Sequence, residues 1–408
     1  MKPGKSRCTP VPNGTITSPE GFLAGAGYCG IKTRNNGALD LAILFSEVPC
    51  VAAGVFTTNK VKAAPVIVSQ DRLAAGMAQA VVVNSGCANA CTGGRGLADC
   101  AETADLAARK LRIPPQAVLV ASTGVIGVPL AMERIRSGIE AIALSREGGH
   151  QLAKAIMTTD TFPKEIAVGV RIGGKDVTIG GVAKGAGMIH PDMATLLSFV
   201  TTDAALDAKL ARVALRQAVN DSFNMISIDS DTSTNDTVLL LANGLAGNEP
   251  LQAGMPEVAL FQDCLGQVCL YLAKCIARDG EGATKLFEVK VEGAVTLREA
   301  RLAARTIVSS PLVKAALHGS DPNWGRIMAA LGRSGAEIDP SQIDLYLKEL
   351  CLLKAGCLVP FDQAEARDIL SQAEVQIRVC LNLGKESATA WGCDLSEEYV
   401  TINSAYVT

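Results

Sequence analysis

The stretch KGAGMIHPDMATLLSFVTTDA, residues 184–204, poses the question on which the reading of this chain turns. Two glycines and a proline lead into Met-Ala-Thr, and an apolar run follows directly from Thr195. Glycine admits backbone conformations closed to other residues, and proline stiffens an approach. A plain turn accounts for such a sequence. So does a strained peptide bond, with the Thr195 hydroxyl facing the carbonyl of Ala194, whose small side chain leaves that carbon open to attack. Attack, an N→O acyl shift and hydrolysis would cut the chain at Ala194–Thr195 and make Thr195 an N-terminal residue. A threonine hydroxyl is a weak nucleophile, but an N-terminal threonine carries its own base, an α-amino group with a pKa of about 8. On pattern alone both readings stand.

The remainder of the chain restricts the chemistry on offer. It has 408 residues, 48% apolar and 19% charged, so a sizeable core can form and disorder is excluded. Aromatics at 4% and a net charge of −3 speak against nucleic acid as a partner. No apolar run of membrane-spanning length and no apolar leader is visible, so neither membrane insertion nor secretion is expected. The thirteen cysteines lack CxxC spacing, and the three histidines do not pair with them at zinc-ligand spacing. No metal site is expected, and the thiols read as buried and reduced. There is no P-loop, no GxGxxG opening a helix and no GxSxG elbow.

Short β-branched runs at 41–46, 51–57, 80–86, 117–123, 237–244, 286–293 and 373–381 read as strands, each bounded by turn residues. Apolar periodicity predicts helices over 97–111, over 203–221 with Asp203 as its cap, and over about 256–277. Strands outnumber helices without strict alternation, which favours a layered α+β arrangement over a doubly wound sheet. A boundary is expected near 282–287, where a long helix ends and a new strand–helix unit begins. Hydroxyls, amides and glycines gather in a few loops, VNSGCANACTGG, ASTGVIG, MTTDTFPKE, KGAGMIHPDMAT, SIDSDTSTNDT and the terminal TINSAYVT. Together they point to a polar pocket built at strand ends.

These blocks carry a resemblance. KGAGMIHPDMATLLSFVTTDA, ASTGVIG (121–127), MTTDTFPKE (157–165), SFNMISIDSDTSTNDTV (222–238), RDGEGATK (278–285), SDPNWGRI (320–327) and TINSAYVT resemble, in order and over essentially the whole chain, the glutamate N-acetyltransferase (ornithine acetyltransferase) family of arginine biosynthesis. The resemblance implies a precursor that cuts itself at Ala194–Thr195 into an α chain (1–194) and a β chain (195–408), assembled as an α2β2 heterotetramer in the cytoplasm. It implies ping-pong transfer of acetyl from N2-acetyl-L-ornithine to L-glutamate through an acetyl ester on Thr195. Thr123 and Gly124 would form the oxyanion hole, and Thr158, Lys184, Thr195, Glu281, Asn403 and Thr408 the substrate contacts. No cofactor is implied; acetyl-CoA is a co-substrate only in those members that also acetylate glutamate from it.

The implied fold is a four-layer αββα sandwich of the N-terminal-nucleophile type, roughly residues 1–283 with the tail 398–408 returning to the site, plus a smaller α/β lobe over roughly 284–397. Departures are small: Leu197 stands where the family often has Met, and Ser404 where it often has Ala. On the residues alone, Lys184 reads equally as a solvated loop charge and Glu281 as a helix cap or a partner of Lys285. The alternatives to acetyl transfer are a self-processing amidase or aminopeptidase with the same threonine, a secondary-metabolism acetyltransferase, and an uncleaved binding protein.

Overall fold

The protein is represented by a computed structural model, which describes residues 8–32, 37–190 and 196–405. Two sheets organise the described residues. In the larger, the order is β1 (Thr9–Pro10), β6 (Lys164–Ile172), β7 (Lys175–Lys184), β8 (Leu197–Thr202), β10 (Thr237–Ala242), β3 (Leu41–Phe56), β4 (Met77–Cys87) and β5 (Val118–Val125), with β2 (Phe22–Gly27) also beside β3. Strand β3 is the pivot. Its first half pairs with β2 and β4, its second half with β10, and its ladder to β4 shifts between Phe45 and Cys50. Pro49 lies in that interval, where a missing N–H donor suits an interrupted ladder. The sheet thereby becomes two layers, β2–β5 on one side and β6, β7, β8 and β10 on the other.

Side-chain alternation, period two along a strand, sorts the apolar residues into three cores. Ala42, Leu44, Val81, Val83, Leu119, Phe199, Leu239 and Leu241 meet in a core between the layers. Leu41, Ile43, Val82 and Val120 face outward with Cys100, Ala104, Ile135 and Ile139, which lie on α2 (Gly93–Leu111) and α3 (Met132–Ala141); the neighbouring α1 (Ala64–Arg72) contributes Ala64. Ile179, Val200, Val238 and Leu240 face the opposite way, toward α5 (Ala208–Asn220) and α6 (Glu257–Arg278). Helix, sheet, sheet, helix is the αββα order expected. The short α4 (Gly149–Ala155) adds Leu152 and Ala153 to the middle core.

The second sheet has the order β14 (Cys357–Leu358), β13 (Leu350–Lys354), β12 (Asp344–Leu347), β15 (Glu374–Cys380), β11 (Leu286–Ala294), β16 (Glu386–Cys393) and β9 (Ile226–Ser227). Helix α7 (Leu297–Val308) covers β11 and β16, starting at a Thr296–Glu299 capping box. The segments α8 (Pro311–His318), α9 (Trp324–Gly332) and α10 (Gln363–Ser371) complete this part. Its core is continuous with that under α5 and α6. A last helix, α11 (Glu397–Ala405), follows β16.

Two expectations need correction. The helix expected over 203–221 begins at Ala208, capped by Asp207, whose carboxylate accepts the Lys209 and Leu210 N–H groups. Asp203 instead accepts from Thr178 and Glu20 N–H groups, tying β7 to the N-terminal segment. Cys8 and Cys264 form a disulfide, so the thiols are not all reduced. By length and composition alone α6 passes for a membrane-spanning helix, but its burial reads otherwise. Phe261, Leu265, Val268, Leu272 and Ile276 form one buried stripe against the sheet, the pattern of a core helix.

Candidate active site

A pocket opens where β5, β7 and the loops before β8, before β10 and after α6 converge. Thr123, Gly124, Thr158, Lys184, Glu281 and Asn403, six of the residues singled out from the sequence, all line it. Ala194, Thr195 and Thr408 lie outside the described residues. Leu196, one residue after Thr195, is buried at the head of β8, the strand between β7 and β10.

Gly124 sits at the end of β5 with φ +130°, a conformation L side chains rarely adopt. A Cβ there would stand 2.3 Å from the carbonyl carbon of Gly86 and 2.6 Å from the nitrogen of Cys87. The position requires glycine for both reasons, a left-handed φ and the close approach of the neighbouring strand. Asn235 holds the same wall from behind: its Nδ2 donates to the carbonyls of Ala88 (2.7 Å) and Ser122 (2.8 Å).

Lys184 ends β7 with 4% of its surface exposed, so it is not a solvated loop charge. Its ammonium donates to the Thr158 hydroxyl at 2.8 Å and reaches the Thr123 hydroxyl at 3.5 Å. Burial pulls its pKa down; Asp160, 3.9 Å away, opposes that pull. Asp160 is itself held by the fully buried Lys164 at 2.7 Å and by the Gly185 N–H at 2.7 Å. Burial works to raise the Asp160 pKa, but Lys184 and Lys164 outweigh it and bring it down to about 2. Lys164 also contacts Asp279 at 2.5 Å, and Asp279 accepts the Thr161 N–H at 3.0 Å. A buried, alternating row of charges thus runs from Lys184 to the end of α6.

Glu281 lies two residues beyond Asp279. Its carboxylate rests on Gly187, where a Cβ would come within 2.5 Å of Oε2, and it accepts from Asn403 Nδ2 at 2.8 Å. Its own N–H donates to the Ala186 carbonyl at 2.8 Å. Glu281 therefore spans from the glycine approach to α11 and pairs with neither Lys285 nor a helix end. Lys285 donates to the Leu317 carbonyl and Ser320 hydroxyl instead. Asp229 fixes the approach as well: its two oxygens accept the N–H groups of Met188 (2.5 Å) and Ile189 (2.9 Å). Met188 has φ +58°, a left-handed turn at a non-glycine residue.

Residue-by-residue reading missed Asp160, Lys164, Asp229, Asp279 and Tyr399. Asp160 and Lys164 were inside the quoted MTTDTFPKE and Asp229 inside SIDSDTSTNDT, but nothing in spacing distinguishes a buried carboxylate from a turn residue. Among the described residues no cluster of metal-ligating side chains occurs. The pocket thus brings a cation, two hydroxyls and a glycine backbone together with a carboxylate and an amide.

The ArgJ family model matches residues 23–408. An arginine biosynthesis bifunctional protein ArgJ from Symbiobacterium thermophilum is 57% identical over 97% of this chain and 99% of its own length. One from Dehalococcoides mccartyi is 54% identical over 99% of this chain and the whole of that protein. A crystal structure of an ArgJ protein from Bacillus halodurans aligns with a TM-score of 0.50 at 47% identity, covering 51% of this chain and 98% of the solved one. With a family model matched from residue 23 to the last residue, and relatives more than half identical from end to end, the chain belongs to the ArgJ family.

Proposed function

We propose that this protein is the acetyltransferase of arginine biosynthesis that moves acetyl from N2-acetyl-L-ornithine to L-glutamate, with Thr195 as the acyl carrier. The observation that carries the reading is the placement of Lys184 and Glu281 in one pocket beside Thr123 and Gly124. Donor and acceptor are both amino acids. A buried ammonium suits the carboxylate each brings, and a carboxylate suits an ammonium. One pocket then serves both half-reactions, as ping-pong transfer requires.

In the first half, the Thr195 Oγ attacks the acetyl carbonyl and its α-amino group takes the hydroxyl proton. The tetrahedral oxyanion is met by the Thr123 hydroxyl and the Gly124 backbone, and the ornithine nitrogen leaves carrying the proton. In the second half, the glutamate amine attacks the ester and releases acetylglutamate. Self-cleavage at Ala194–Thr195 supplies the free amine. It is supported by the glycine approach and by the Bacillus halodurans chain, nearly all of which aligns to half of this one. Thr408 completes the substrate contacts in this reading. Acetyl-CoA as a second donor fits the word bifunctional in the relatives' names. An α2β2 assembly in the cytoplasm belongs to the same reading, and light scattering of the cleaved protein checks the assembly.

The direct test follows acetylornithine and glutamate together. Acetylglutamate formed with little free acetate supports transfer; acetate without acetylglutamate would make the protein an amidase. Lys184→Met is expected to raise KM for both amino acids by about tenfold or more, the effect of losing one charge-assisted hydrogen bond.

A further inference from the structure

The two substrates of the transfer agree at one end and differ at the other. Each carries an α-carboxylate, which Lys184 suits. At the tip of the side chain acetylornithine carries an ammonium and glutamate a carboxylate. A pocket that serves both needs a group that tells the tips apart, and Lys184, common to both, is not that group. Among the described residues three acids line the pocket, Asp229, Asp231 and Glu281. Two of them are engaged. Asp229 spends its oxygens on the N–H groups of Met188 and Ile189 and takes the Tyr399 hydroxyl as well. Glu281 lies against Gly187 and accepts from Asn403 Nδ2. Asp231 is exposed, and no donor or cation among the described residues meets its carboxylate.

An exposed acid on a loop is ordinarily a solvated charge. Asp231 differs in how firmly its backbone is held. Its N–H donates to Asp229 Oδ1 at 3.3 Å, and the Ser230 hydroxyl donates to the Ser309 carbonyl at 3.1 Å. On the other side, the Thr232 carbonyl accepts from Asn59 Nδ2 at 3.1 Å and the Ser233 carbonyl from the Thr57 hydroxyl at 2.7 Å. Ser230 sits between the two acids at φ +72°, a left-handed conformation that is unfavourable for an L residue. The segment is thus pinned on both sides of Asp231, while the carboxylate is left to solvent and pocket. Its charge is felt there. Burial first, and then the charges of Asp229, Glu281 and Asp231, push the Tyr399 pKa up, and Asp231 adds to the burial that raises Asp229.

We propose that Asp231 is the specificity-determining residue for the donor, the carboxylate that receives the side-chain ammonium of N2-acetyl-L-ornithine and that disfavours the side-chain carboxylate of glutamate. The inference rests on the acetyl-transfer reading above. Lys184 then reads what the two substrates share, and Asp231 what separates them. Because the carboxylate is exposed, water and salt screen the pair, and its effect is one of about fivefold, not of orders of magnitude.

Asp231→Asn tests it by removing the charge and keeping the shape. In ping-pong transfer kcat/KM for each substrate reports its own half-reaction. The value for acetylornithine is expected to fall about fivefold or more, and that for glutamate to hold or rise. Damage to the fold or to the shared part of the pocket would lower both. A value for acetylornithine within about twofold of wild type, or a fall shared by glutamate, overturns the proposal. The wild-type protein supplies a second measurement. N2-acetyl-L-norvaline has the same carbon chain without the ammonium. The wild type should use it about fivefold or more less well than acetylornithine, and Asp231→Asn should close that gap. Equal use of the two donors by the wild type overturns the proposal. Wild-type protein that forms no acetylglutamate from acetylornithine and glutamate instead defeats the transfer reading itself.

Discussion

At the scale of single residues, the account turns on buried charge. The Asp160 pKa is depressed from 3.8 to about 2, so its ion pairs contribute stability that is present above about pH 4 and lost as pH falls toward about 2. The shift corresponds to about 2 kcal/mol, visible as a drop in urea midpoint across that window. The same residue sustains the charge on Lys184. Asp160→Asn removes the anion that opposes the burial of Lys184, so the Lys184 pKa falls further. The alkaline limb of kcat/KM is then expected to move to lower pH, and a limb that stays in place would separate Lys184 from substrate binding. Gly124→Ala forces a Cβ onto the backbone of Gly86 and Cys87, at a left-handed φ. It is expected to cost more than about 1 kcal/mol by thermal melting and to abolish most transfer activity. Sequence alone flagged Gly124 and Lys184 by resemblance. It did not flag Asp160, because burial of a carboxylate is decided by the two lysines that meet it, one of them twenty-four residues away in the chain.

At the scale of elements, what was legible followed periodicity. The long helix read over about 256–277 is Glu257–Arg278, and the runs at 237–244 and 286–293 are strands within a residue or two. Local chemistry misled where two acids competed for one role. Asp203 and Asp207 both precede the same apolar stripe, and only tertiary contact with Thr178 and Glu20 assigns Asp203 elsewhere. Strands Lys164–Ile172 and Lys175–Lys184 were not read as such, because lysines and glycines interrupt their apolar pattern. The terminal TINSAYVT, taken as a polar loop, contributes Thr401–Ala405 to helix α11. That helix presents Tyr399 and Asn403 to the pocket and is tethered ahead of its first turn by Ser396, whose hydroxyl donates to the Gly282 carbonyl at 2.6 Å. Deletion of residues 403–408 removes the Asn403–Glu281 contact without touching either sheet. The truncated protein is expected to melt within a few degrees of the full chain while its KM rises about tenfold or more. Wild-type kinetics in the truncated form would remove α11 from the site.

At the scale of the whole molecule, the proposed cut and the fold bear on each other. It falls between β7 and β8, adjacent strands of one sheet, so both fragments contribute to two of the three cores, the middle one and that under α5 and α6. Separation would expose the middle core, and the fragments are expected to stay together without any covalent link. The structure supplies a link as well: Cys8 lies before the cut and Cys264 after it. Unreduced, cleaved protein should therefore run as one species, heavier than the precursor by one water. The deciding measurement is intact mass after full reduction, with Thr195→Ala protein beside the wild type. The account predicts two wild-type fragments of about 20 and 22 kDa, in proportion to chain length, the larger beginning at Thr195, and a whole alanine variant. A single wild-type species at 42.4 kDa after reduction would contradict it, because Thr195 would then have no free amine and acetyl transfer no base.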